Sequence, residues 1–138
     1  PGLLALAPSP GNELGEFTAQ EIAELTQTNP LVADLVVLSA CRTGQGQITS
    51  DGAYGLSRAF LTGGTPSLIV SLWDAPDKAT QLLMTELYSN LLGNENQAPL
   101  GKAQALRQAM LTTMNFEIGQ YHNDPRYWAT FTLMGQPD

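Results

Sequence analysis

Residues Leu35 to Leu38 form a short, unbroken apolar run rich in β-branched side chains, with Asp34 before it and Ser39-Ala40-Cys41-Arg42-Thr43-Gly44 after it. A run with no polar alternation offers no side to solvent. It predicts a strand covered on both faces, as in a parallel sheet packed between helices. Small residues, Ser39 and Ala40, then carry the only cysteine, Cys41, to the strand's carboxyl end. Open α/β sheets place their chemistry at that end. Two readings of Cys41 stand side by side. Free cysteine commonly packs as a small hydrophobe, whereas a thiol leading into a loop with Gly44 and Gly46 is positioned as a nucleophile.

The flanking sequence predicts the rest of the sheet and its covering helices. Leu3 to Ala7 reads as a short strand ended by Pro8-Ser9-Pro10-Gly11. Thr18 and Glu21 have the spacing of a capping box, so a helix is expected from there until Asn29-Pro30. A second helix runs from Ala53 to Leu61 with Ala53, Leu56, Ala59 and Phe60 on one face, and Gly63-Gly64 ends it. Ser67 to Trp73 is a second buried strand. Asp74-Ala75-Pro76 then reads as the N-cap and first turn of a helix from about Pro76 to Leu92. Another helix spans about Pro99 to Met114, and Tyr127 to Met134 alternates like an edge strand. Strand, helix, strand, helix, helix, strand implies an α/β architecture with right-handed crossovers and a mostly parallel sheet.

At 138 residues this is at most one domain, taken as residues 1–138. The formal charge of −7, with only six scattered basic residues, argues against nucleic acid as a direct ligand. Within these 138 residues no apolar run is long enough to cross a membrane and no stretch has the charged-then-apolar pattern of a leader, so neither is expected of this segment. A single cysteine excludes an internal disulfide and suits a reducing cytoplasm. The first residue is Pro1 rather than methionine, so an excerpt of a longer protein, or a processed product, is expected.

Competing chemistries fail on particular positions. A tyrosine phosphatase loop needs arginine six residues after its cysteine, where this chain has Gln47. Gly55-Leu56-Ser57-Arg58-Ala59 approaches a serine-hydrolase elbow, but no strand precedes it. There is no metal-ligand cluster, phosphate-binding loop or dinucleotide fingerprint, so neither metal nor cofactor is expected.

Leu35-Val36-Val37-Leu38-Ser39-Ala40-Cys41-Arg42-Thr43-Gly44, then Gly52-Ala53-Tyr54-Gly55-Leu56-Ser57-Arg58-Ala59-Phe60 and Ser71-Leu72-Trp73-Asp74, resemble the CHAT-domain family. These are caspase-like cysteine peptidases commonly joined to tetratricopeptide repeats. The resemblance runs from about Leu3 to Gly135, with its motifs in order at family-like spacing. Arg42 departs from the family, which more often has an acidic residue there. The resemblance implies a caspase-like three-layer sandwich whose N-terminal strands lie outside this chain. It also implies Cys41 as the nucleophile, with its backbone N–H as one oxyanion donor. Arg42 and the loop amides near Gly44 either favour the thiolate or, for Arg42, face solvent.

The family's histidine base lies in a His-Gly motif upstream of the cysteine, and no such motif precedes Cys41. The sole histidine, His122, falls in a polar turn and does not match that position. The base is therefore expected on sequence outside this chain, supplied by the missing N-terminal part of the domain. The resemblance further implies a protein or peptide substrate held along Ser71 to Asp74 by strand addition, with Trp73 as an apolar wall. Asp74 is either a contact for a basic side chain or a helix N-cap. The alternative to a peptidase is a scaffold or protein-interaction module that keeps the fold without catalysis.

Overall fold

Thr18 and Glu21 set the first helix as their spacing predicts. The Thr18 hydroxyl accepts from the Glu21 N–H at 3.2 Å, and the Glu21 carboxylate accepts from the Thr18 N–H at 2.8 Å. This capping box starts α1 (Ala19–Thr28), which ends at Asn29 just before Pro30. The computed structural model describes residues 3–39, 52–74, 76–116 and 123–138. Ahead of α1, strands β1 (Leu3–Ala5) and β2 (Glu16–Thr18) pair antiparallel as a separate two-stranded sheet.

The main sheet holds β3 (Val36–Leu38), β4 (Ser67–Ser71) and β5 (Phe131–Gly135), in that order across the sheet. Helix α2 (Gly52–Thr62) connects β3 to β4. Gly64, at φ +108°, turns the chain after α2 in a conformation that suits glycine. Between β4 and β5 come α3 (Asp77–Leu92), α4 (Lys102–Asn115) and the short α5 (Pro125–Trp128).

β4 is the centre of the packing. All five of its residues are buried, and successive side chains point to opposite faces. Leu68 and Val70 pack in one cluster with Ile22 of α1 and Leu56, Ala59 and Phe60 of α2. Ile69 packs in another with Leu83 and Leu87 of α3 and Ala105, Leu106 and Ala109 of α4. The consecutive apolar residues Leu68, Ile69 and Val70 at the centre of β4 are thus required by helices on both sides. β3 is less covered than its sequence suggests: Val36 and Val37 are half-buried and only Leu38 is buried.

The sheet is mixed, which corrects the expectation of mostly parallel pairing among these strands. β3 and β4 are parallel, whereas β4 and β5 are antiparallel, with Ile69 opposite Leu133. The reason is the parity of the connections. One helix between β3 and β4 returns the chain to the starting end, so the next strand is parallel. The α3–α4 hairpin adds a further reversal: the Asn90 carbonyl accepts from the Leu100 N–H at 2.9 Å, and the Asn90 amide donates to the Ala105 carbonyl at 3.4 Å. The chain therefore enters β5 from the end where β4 finishes. β5 lies at an edge, as its sequence suggests, but begins at Phe131 rather than Tyr127. Tyr127 and Trp128 belong to α5 because Asp124 caps a helical turn with Pro125 at its start.

β5 closes against the base of the sheet. The Gln136 N–H donates to the Pro66 carbonyl at 2.9 Å, and the Ser67 hydroxyl donates to the Gln136 carbonyl at 2.8 Å. Gly135, at φ +95°, has no room for a Cβ, which would run into the Pro66 carbonyl. Replacing Thr18 by alanine removes the first cap and is expected to cost about 1 kcal/mol in urea denaturation. Unchanged stability in the Thr18→Ala variant would show that packing of Ile22 holds α1 without the cap.

Candidate active site

The carboxyl ends of the parallel strands β3 and β4 open together on one end of the sheet, where Ser39 follows Leu38 and lies exposed. Ser71 ends β4 and is buried, at 2 % exposure. The next residue still belongs to the sheet's hydrogen bonding, since the Leu72 N–H donates to the Thr130 carbonyl at 2.7 Å. That bond fixes how the chain leaves β4 and turns the half-buried Trp73 toward α5.

The Arg126 carbonyl, on α5, gathers two donors. The Trp73 indole N–H reaches it at 3.2 Å and the Thr130 hydroxyl at 3.2 Å. α5 is itself held by Asp124, whose carboxylate accepts from the Arg126 N–H at 2.9 Å and ion-pairs with its guanidinium at 2.6 Å. The Arg126 side chain, then its backbone N–H, keeps the Asp124 carboxyl below the usual carboxylate range.

Between these elements lies a cleft of about 50 Å³. Ser39 and Ser71 come from the strand ends, Trp73 from the segment after β4, and Asp77 and Thr80 from the first turn of α3. Thr130 and Phe131 close it from the β5 side. A larger depression of about 450 Å³ lies between the β1–β2 loop and α1 and shares no lining residue with this cleft. The smaller cleft is the better site candidate, because it opens at the strand ends where α/β sheets bind ligands.

Of the residues singled out from sequence, Ser71 and Trp73 meet in this cleft. Asp74 is exposed and does not line it. Nor is Asp74 the helix cap: α3 begins at Asp77 with Pro76 at the N-cap position and no side-chain cap bond. Asp77, in the first turn, supplies the negative charge that favours a helix start. Cys41, Arg42, Gly44 and His122 lie outside the described residues. Ser57 is a buried helix residue of α2 rather than an elbow nucleophile; its hydroxyl has no partner among the described residues.

Sequence reading missed Asp77, Thr80 and Thr130 as cleft residues. Asp77 reads as a solvated helix carboxylate, although a Pro-Asp helix start only five residues beyond the end of a buried strand is a signal that the first helical turn lies near the strand end.

Comparison with known proteins settles the kinship of this architecture. A family model described as CHAT domain matches residues 2–136. The chain belongs to the CHAT-domain family. Among curated proteins, the CHAT segment is 34% identical over 120 residues to mouse tetratricopeptide repeat protein 28, covering 86% of this chain and 4% of that protein. It is 33% identical over 120 residues to the human protein of the same name, with the same coverage of 86% and 4%. The chain thus spans a small fraction of the relatives it matches. No solved structure matches it. No helix among the described residues is long and apolar enough to cross a membrane.

The Asp124–Arg126 pair gives this site a pH signature. The folded state favours the ionised carboxyl, so its stabilising contribution is complete above the ordinary aspartate value of about 3.9 and is lost as pH falls through the lower folded value. NMR titration should place the Asp124 carboxyl below that ordinary value and move it upward in Arg126→Ala. An unmoved titration in the variant would mean that the ion pair does not hold α5.

Proposed function

We propose that this CHAT domain is the C-terminal part of a caspase-like cysteine endopeptidase that cleaves protein substrates. The fold in this reading is a three-layer sandwich completed by N-terminal strands outside the chain. Cys41 is the nucleophile, and a histidine upstream of this segment is the base. The imidazole takes the thiol proton, the thiolate attacks the scissile carbonyl carbon, and the departing amine leaves with the proton from the imidazolium. Water then hydrolyses the thioester, returning the thiol and releasing the carboxylic acid product. The Cys41 N–H serves as one oxyanion donor, with Arg42 and the loop through Gly44 beside it.

The observation that carries this reading is the cleft at the ends of β3 and β4, which begins at Ser39, two positions before Cys41. The substrate lies extended along Ser71 to Asp74, with Trp73 as its apolar wall. Tetratricopeptide repeats of a longer protein regulate access, in keeping with the name of the curated relatives, and the setting is cytoplasmic. No cofactor takes part.

A second reading, a non-catalytic scaffold, draws on the presence of a single histidine at a position unlike the family's base. The two are separated by a thiol-reactive peptide electrophile, applied to protein that includes the sequence preceding this segment. Peptidase function predicts modification of Cys41 far faster than of free cysteine. In Cys41→Ala the modification is lost and peptide cleavage falls by at least roughly 10⁴-fold. Labelling no faster than that of free cysteine would leave the scaffold.

A further inference from the structure

The cleft beside β4 has a charge character that the family assignment does not supply. Asp77 is the only charged residue lining it among the described residues, and the Asp77 carboxylate makes no hydrogen bond or ion pair there. The rest of the described lining is hydroxyl-bearing, from Ser39, Ser71, Thr80 and Thr130, or aromatic, from Trp73 and Phe131. The start of α3 contributes a partial positive charge of about half a unit, and the full negative charge of Asp77 outweighs it. A carboxylate entering the cleft would meet like charge. An ammonium or guanidinium would meet a matching carboxylate, hydroxyl oxygens and the aromatic side chain of Trp73.

Size narrows the choice further. A cavity of about 50 Å³ has room for roughly four water molecules, enough for the polar head of a side chain and too little for an aromatic ring. The apolar stem of lysine or arginine can lie along Trp73 while its head reaches Asp77.

We infer that this cleft selects a basic residue, lysine or arginine, in the substrate beside the scissile bond, with Asp77 as the specificity-determining group. The inference rests on the reading of Cys41 as the nucleophile. It differs from the expectation that Asp74 plays this part, because Asp74 stands outside the cleft.

The test is a set of peptidyl acyloxymethyl ketones that differ only in the residue next to the reactive ketone: arginine, lysine, citrulline, leucine or aspartate. The Cys41 sulfur forms a thioether with the methylene carbon and the acyloxy group leaves as a carboxylate. Labelling rates are measured on protein that includes the sequence preceding this segment, with circular dichroism confirming that each variant is folded. The arginine and lysine probes should label Cys41 roughly ten- to a hundredfold faster than the citrulline probe. Asp77→Asn should erase that preference, Asp77→Lys should turn it toward the aspartate probe, and Glu95→Gln should change nothing. Rapid labelling of Cys41 without a basic preference, or with one that survives Asp77→Asn, would overturn the inference and leave the peptidase intact. If no probe labels Cys41 faster than free cysteine, the inference and the peptidase reading fall together.

Discussion

The double burial of β4 is the constraint on which the rest of this domain depends. Leu68 and Val70 are enclosed by α1 and α2, and Ile69 by α3 and α4, so two separate hydrophobic clusters meet through a single strand. Its hydrogen bonds are also used on both edges, parallel to β3 and antiparallel to β5. A strand held in this way has little freedom to slide, because a one-residue slip would exchange the two faces and misplace every side chain. The consequence appears at its carboxyl end. Ser71, Leu72 and Trp73 leave the sheet at a fixed height and direction, and the cleft is built around their exit.

Polar contacts then finish what the core begins. Trp73 and Thr130 both donate to the Arg126 carbonyl, so one oxygen ties the segment after β4 to the segment before β5. The ion pair between Asp124 and Arg126 is solvent-facing and contributes little on its own. Its value lies in shaping α5, which presents that oxygen. The cleft is thus assembled from elements far apart in the chain, with rigidity supplied by the buried strand and orientation by a few hydrogen bonds.

How much of this the sequence reveals depends on the range of the interaction. The capping box of Thr18 and Glu21 is local, and its residues stand at the spacing that the geometry needs. The burial of β4 is legible because its apolar residues Leu68, Ile69 and Val70 are consecutive and so face both sides of the sheet. The direction of β5 is less accessible, since it is set by the pairing of α3 with α4 rather than by any pattern inside the strand. Tyr127 and Trp128 resemble strand residues by type, and the competing signal, Asp124 before Pro125, is the one the chain follows. At the site, Trp73 is recognisable from its neighbours. Asp77 and Thr130 acquire a role only when the helical hairpin brings β5 back beside β4.

In the proposed function, Cys41 meets its substrate at the cleft where β3 and β4 end. A crystal structure of the domain, extended to include its preceding sequence and treated with a peptidyl ketone, tests it directly. Peptidase function at this cleft requires continuous density from the Cys41 sulfur to the inhibitor, with the adjacent inhibitor side chain lying between Ser71, Trp73 and Asp77. A sulfur enclosed in the core, with the inhibitor absent from the cleft, would contradict it.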